Sequence, residues 1–234
     1  MYYGDFLMLN IITVRRAARV LALAAATLAG GALPARAAGD AAVDFARSAQ
    51  IDDTRTMGKL LAAGIDPNMT EPQRGDTGMV LALREDAKRV FALLLAQPGI
   101  KLEARSGNGD TALMMASYKR NQLAVLALLD KGAQVNQTGW TALHYAAAAG
   151  DNAIVRILLD RYAYIDAESP TRITPLMFAA REGQDATVKL LLEEGADATL
   201  KSAHGWTAVQ FALAADKPYV ADIINAHLKA KAAR

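Results

Sequence analysis

The residues best equipped for chemistry are few and scattered. Three histidines, His144, His204 and His227, lie far apart along the 234 residues, without the short spacing that gathers imidazoles around one metal ion. Cysteine is absent, which removes thiolate nucleophiles, zinc–thiolate and iron–sulfur centres, and disulfides together. Acidic groups occur together at Asp52-Asp53, Glu85-Asp86 and Glu193-Glu194. A carboxylate works as a general acid or base only beside a complementary nucleophile or base, and none accompanies these pairs, so solvated helix faces and ends account for them. Ser48, Ser106, Ser117, Ser169 and Ser202 lack the elbow context of a serine nucleophile. The run Gly107-Asn108-Gly109-Asp110 has the composition of part of a phosphate or calcium loop, but its place in the repeat described below makes it a turn. No catalytic, metal or cofactor site is expected, and the chain is expected not to be an enzyme.

Composition points to the elements that carry these residues. Apolar residues make up 53%, charged residues 21% and aromatics only 6%, the balance of a folded protein rather than a disordered one. Alanine and leucine dominate, which favours helices over strands. An all-α chain with short turns is expected.

The first residues differ in kind from the rest. Arg15, Arg16 and Arg19 precede an apolar stretch from Val20 to Leu33, and Pro34-Ala35-Arg36-Ala37 then supplies an A-x-A processing pattern. Residues 1–37 are therefore expected to be an export signal cut after Ala37, with Met8 as an alternative start of translation. The apolar stretch of 14 residues is shorter than the ~20 that span a bilayer as a helix. Ala17-Ala18 follow the arginine pair where twin-arginine export would want a strongly apolar pair, so ordinary unfolded export is expected, to a bacterial periplasm or to the outside. No lipid anchor is possible at the cut without a cysteine. Removing residues 1–37 leaves 22 basic and 23 acidic side chains, a net charge of −1. Nothing global then suggests nucleic acid or an anionic membrane as partner.

Aligning the chain with itself reveals its organisation. Thr77-Gly-Met-Val-Leu-Ala82, Thr111-Ala-Leu-Met-Met-Ala116, Thr141-Ala-Leu-His-Tyr-Ala146, Thr174-Pro-Leu-Met-Phe-Ala179 and Thr207-Ala-Val-Gln-Phe-Ala212 are copies of one phrase, their threonines 34, 30, 33 and 33 residues apart. Twelve residues after each final alanine comes Leu94, Leu128, Leu158, Leu191 or Ile224. A weaker copy opens the folded part, with Phe45-Ala46, Leu60-Leu61 and Gly64-Ile65-Asp66-Pro67-Asn68. Each threonine can cap a helix through its hydroxyl, and Pro175 stands at the first helical position, where a missing N–H is harmless. The alanine five residues on lets a neighbouring helix approach. Leu128, Leu158 and Leu191, with Val125, Val155 and Val188 three residues before them, form the apolar stripe of a second helix. Gly132 and Gly195 end that helix in the left-handed conformation. One copy buries too little alone, so the copies must stack.

The phrases Thr174-Pro-Leu-Met-Phe-Ala-Ala-Arg-Glu-Gly183, Gly195-Ala-Asp-Ala198 and Gly139-Trp-Thr-Ala-Leu-His-Tyr-Ala146 closely resemble the ankyrin repeat. The likeness covers about residues 40–230, with repeats near 40–72, 73–106, 107–136, 137–169, 170–202 and 203–230, as one domain over 38–234. It implies an all-α solenoid of about six repeats, caps included, made of stacked antiparallel helix pairs with β-hairpin-like fingers and a concave binding side. His144 takes the place of the histidine that ties the family's turn together by hydrogen bonds. Three departures stand out. Gly132 to Thr141 spans nine residues against twelve from Gly195 to Thr207, a shortened finger that should leave a notch beside Trp140. Tyr162 and Arg172 stand where glycines are expected, which puts those turns in doubt because a side chain at positive φ is strained. The first copy is read as carrying extra residues between its helices.

The family places contacts on finger tips and on the exposed face of the first helix. On this sequence those positions hold Arg74, Asp76, Arg84, Glu85, Asn108, Asp110, Tyr118, Lys119, Trp140, Thr171, Ile173, Arg181, Glu182, His204 and Trp206. Trp140, Trp206 and Tyr118 are the expected anchors, since large aromatics carry most interface energy; packing between adjacent fingers is the competing role for them. Ala148 and Ala149 leave a small-residue patch beside Trp140. The resemblance implies a non-enzymatic protein-interaction module, expected here as a monomeric scaffold of the bacterial envelope. An effector or toxin-neutralising protein is the alternative, and an enzyme with a diffuse site the remote one.

Overall fold

The computed structural model describes residues 35–233; the export-signal expectation falls on residues 1–34, outside them, apart from its proposed cut. Twelve helices, and no strand, occur among the described residues: α1 (Ala35–Gln50), α2 (Thr54–Ala62), α3 (Gly78–Arg84), α4 (Lys88–Leu95), α5 (Ala112–Tyr118), α6 (Gln122–Asp130), α7 (Ala142–Ala149), α8 (Asn152–Asp160), α9 (Pro175–Glu182), α10 (Asp185–Glu193), α11 (Ala208–Ala214) and α12 (Pro218–Ala232). Each first helix packs on its own second helix and on the first helices before and after it, in the order α3, α5, α7, α9, α11. The second helices α6, α8, α10 and α12 pack in sequence as another layer. None of these helices is long and apolar enough to cross a membrane.

Local chemistry explains the helix boundaries. The Thr77, Thr111 and Thr174 hydroxyls accept the N–H groups of Val80, Met114 and Met177 at 3.3, 3.4 and 3.3 Å, satisfying donors that a helix start leaves free. Asp53, Asn121 and Asp151 cap second helices in the same way. Between first and second helix one residue is always left-handed: Asp52, Asp86, Arg120, Gly150, Gly183 and Asp216. Their spacing of 34, 34, 30, 33 and 33 residues sets six copies in phase.

That phase corrects one expectation. The linker 51–53 is as long as 85–87 and 119–121, so the first copy has no extra residues between its helices. Ser48, not Ala46, occupies the small-residue position of Ala82 and Ala116. It is 2% exposed, and its hydroxyl is returned to the Phe45 carbonyl at 2.8 Å. The polar side chain disguised the alignment by type, while its size and internal hydrogen bond satisfy the same packing requirement.

The core runs the length of the stack. Leu94, Leu128, Leu158, Leu191 and Ile224 are all fully buried, each side chain contributing roughly 1.5–3 kcal/mol. Ala82, Ala116, Ala146, Ala179 and Ala212 line the first-helix contacts, also fully buried. At Gly78 even a methyl group would meet the Phe45 ring at 2.6 Å.

Side chains then staple each repeat to the next. Asn68 donates to the Gly99 carbonyl at 3.1 Å and accepts the Lys101 N–H at 2.7 Å. Glu103 accepts the Gln134 N–H at 2.7 Å. Asn136 donates to the Tyr162 carbonyl at 2.7 Å and accepts from the Tyr164 N–H at 2.8 Å, and Asp166 accepts the Asp197 N–H at 3.1 Å. Tyr162 and Arg172 do adopt positive φ, 62° and 56°. The family's turn geometry therefore survives without the glycines.

Candidate partner-binding face

The fingers are tight turns rather than extended hairpins. The one β-bridge among the described residues joins Thr70 and Thr77. Ser106, Ser169 and Ser202 donate their N–H groups to the carbonyls of Asp110, Ile173 and Trp206 at 2.9, 3.0 and 2.9 Å, closing three fingers. In the first finger the buried Glu71 collects the N–H groups of Gln73, Arg74 and Asp76. Burial opposes its charge, but those donors outweigh it and hold the carboxyl below its ordinary range.

Finger tips join in pairs on either side of the short one. The Gly107 N–H meets the Gly75 carbonyl at 3.0 Å, and the Ala203 N–H meets the Thr171 carbonyl at 2.9 Å. Among the described residues, no backbone-to-backbone hydrogen bond links 134–140 to the finger before or after it; Glu103 and Arg105 reach Gln134 and Gln137 through their side chains instead. Asn136 stands four residues after Gly132, as Asn68 does after Gly64, and its amide is likewise committed to the next repeat, at Tyr162 and Tyr164. The shortened finger thus interrupts the row of tips.

His144 belongs to the architecture of this interruption. Its Nδ1 accepts the Thr141 N–H at 3.2 Å, leaving the proton on Nε2, which donates to the Ile173 carbonyl at 2.8 Å. The ring is fully buried. Burial pushes its pKa down from 6.5 to about 4, against the pull of the Ile173 and Ala167 carbonyls. Trp140 packs edge-on against this imidazole, with centroids 5.2 Å apart, and lies 5.2 Å from the Phe178 ring. It is half-buried. Trp206 packs on Phe211 at 5.5 Å and remains 43% exposed. Trp140 therefore packs on the first helices of its own and the next repeat and Trp206 on that of its own, and both stay partly accessible.

Two of the expected contact residues are corrected. Asp76 and Asp110 are 2% and 4% exposed, so neither can meet a partner directly. Asp76 is paired with Arg84, itself half-buried. Asp110 accepts from the Tyr145 hydroxyl and, at 2.7 Å, from the Asn108 amide. Burial and the Asp110 carboxylate together push the Tyr145 phenol up. These acids prop the face from behind. Ile173 is half-buried and packs against the core, while Arg74, Glu85, Asn108, Thr171 and His204 are exposed.

Tyr118, Lys119, Arg181 and Glu182 are brought together. They border a groove of about 510 Å³ floored by Ala148 and Ala149. Tyr118, Lys119 and Arg120 form one wall; Phe178, Arg181, Glu182 and Gln184 form the other. Tyr118, 55% exposed, meets Tyr145 edge-on at 6.2 Å, and the Arg181 guanidinium lies 4.2 Å above the Phe178 ring. The floor carbonyls are already used, Ala149 by Arg120 and Ala148 by the Gln184 amide at 3.0 Å. Type alone did not single out Tyr145, Phe178, Arg120 or Gln184. A sequence signal existed for two of them: Tyr145, Phe178 and Phe211 each stand four residues after a phrase threonine and are half-exposed. No group of acidic and histidine side chains among the described residues is arranged to hold a metal ion.

Comparison with known proteins agrees with this architecture. Residues 46–138 and 79–169 match a family profile described as ankyrin repeats (3 copies), and residues 164–212 match ankyrin repeats (many copies). The chain belongs to the ankyrin-repeat family. It is 31% identical over 155 residues to human SH3 and multiple ankyrin repeat domains protein 2, covering 64% of this chain and 8% of that protein. It is 33% identical over 134 residues to Neurogenic locus notch homolog protein 1 of Xenopus tropicalis, covering 56% of this chain and 5% of that one. The chain thus spans a small part of the length of these relatives.

Proposed function

We propose that the protein is a non-enzymatic interaction module that captures a partner protein on the first-helix face. Ankyrin repeats indicate such a module, and fold alone fixes no partner. The observation that carries the reading is the groove over Ala148 and Ala149, where Tyr118 and Phe178 stay solvent-accessible between rigidly stacked helices. Interface energy concentrates where an aromatic anchor meets a preformed pocket. The setting proposed is the bacterial envelope, with the chain exported to the periplasm and acting as a monomer. Arg15, Arg16, Arg19, the apolar stretch from Val20 to Leu33 and Pro34-Ala35-Arg36-Ala37 support export.

The test places a photo-crosslinking residue at Tyr118 of the full chain, expressed in its native cells, with Lys189 on α10 as control. A discrete adduct is expected from position 118, reduced by Ala148→Trp, which fills the groove. Equal labelling from both positions, or labelling at 118 insensitive to that substitution, would reject the first-helix face. Fractionation of the same cells reports the compartment, and a product confined to the cytoplasm would reject export.

A further inference from the structure

Three cations surround the groove, and among the described residues only one of them is paired with a carboxylate. Arg181 pairs with Glu182 at 2.9 Å. Among the described residues no carboxylate comes within ion-pair distance of Lys119 or Arg120. Arg120 instead donates to the Ala149 carbonyl, which fixes its charge above the floor. Arg181 rests on Phe178 and so displays its charge beside an apolar wall. Between these cations Ala148 and Ala149 are each 8% exposed, and their methyl groups leave the depression empty. The result is an apolar seat with a positive rim, whose single lining carboxylate is already neutralised.

We propose that this groove takes an acidic segment of a partner protein: one large apolar side chain sits on Ala148 and Ala149 between Tyr118 and Phe178, and flanking carboxylates meet Lys119, Arg120 and Arg181. The proposal rests on the first-helix face as the binding face and adds the partner's chemistry. Charge complementarity at a rim sets encounter and selectivity, while the buried apolar anchor holds the complex. Nucleic acid is the other polyanion that suits basic and aromatic side chains together. A backbone-tracking site needs cations along its length, whereas here they gather at one depression that also carries Glu182.

The experiment is a selection from a displayed random peptide library on the immobilised full chain, followed by affinity measurement of the enriched peptides. Enrichment of one large apolar residue flanked by Asp or Glu is expected. Affinity should fall at least about tenfold in Lys119→Glu/Arg181→Glu and several-fold when salt is raised from about 0.05 to 0.5 M, with Lys189→Glu as an unaffected control. All three substitutions change exposed side chains, and both variants should keep the parent's circular dichroism melt. Neutral or basic consensus peptides, acidic peptides indifferent to the charge reversal, no enrichment, or equal binding of a single-stranded oligonucleotide would each overturn the proposal. Ala148→Trp separates the two levels. Non-acidic peptides that it blocks would leave the first-helix face standing and remove only the acidic partner, whereas peptides that it does not block would remove both.

Discussion

Acidification should unfold this protein partly through one imidazole. Thr141 donates to Nδ1 of His144 and Ile173 accepts from Nε2, so the folded site is built for the neutral ring. A proton added to Nδ1 would face the Thr141 N–H, inside a fully buried pocket. The unfolded chain takes up that proton near 6.5, while the folded chain resists until about 4. With the folded value depressed, the stabilisation is complete above pH 6.5 and is lost progressively as pH falls towards 4. At about 1.4 kcal/mol per pH unit, the loss is about 2 kcal/mol by pH 5 and about 3 kcal/mol over the whole window. The comparison protein is His144→Gln, because Gln210 already fills this place in the last repeat, accepting the Thr207 N–H at 2.7 Å. Urea unfolding of both proteins at pH 7 and pH 5 isolates the term, since the carboxylates titrate alike in each. The parent is expected to lose about 2 kcal/mol more than the variant between those pH values. Equal losses, or a His144 imidazole resonance, assigned by its disappearance in His144→Gln, that titrates near 6.5 in the folded parent, would refute the reasoning.

Three further outcomes follow from the packing. Gly78→Ala should cost about 1–3 kcal/mol by driving a methyl into the Phe45 ring, and Phe45→Leu in the same chain should return part of that loss in a thermal melt. Tyr162→Gly should raise stability by up to about 1 kcal/mol, because the residue sits at φ 62° with its ring 86% exposed; an unchanged or lower melting temperature would show that the ring contributes more than its strain. Asn136→Ala removes both side-chain bonds across the short finger and should cost about 1–3 kcal/mol, with faster hydrogen exchange at the Tyr164 amide than at Lys101 as its local signature.

Much of the fold was legible because a repeat is written in local chemistry. Thr111 and Thr174 announce helix starts by type, Leu128 and Leu191 mark the buried stripe by spacing, and Gly132 and Gly195 mark left-handed helix ends by the absence of a side chain. The left-handed turn between first and second helix holds Gly150 and Gly183 in two copies but Asp52, Asp86, Arg120 and Asp216 in the others, which no rule about glycine would find. Ser48 hid its place for a similar reason, its size rather than its polarity being what the core required. The site was less legible. Aromatic type pointed to Trp140 and Trp206, and surface position pointed to Asp76 and Asp110. Yet Trp140 is partly covered by Phe178, and both acids turn inward to Arg84, Tyr145 and Asn108.

The sequence by itself therefore determined the period, the caps, the core and the shortened finger, all features that residues settle with neighbours a few positions away. The tertiary structure decided which side chains remain available, since that depends on what the adjacent repeat, some thirty residues distant, lays over them. Tyr118 and Phe178 form two walls of one groove because only Ala148 and Ala149 stand between them, and bulk on the middle helix would have closed it.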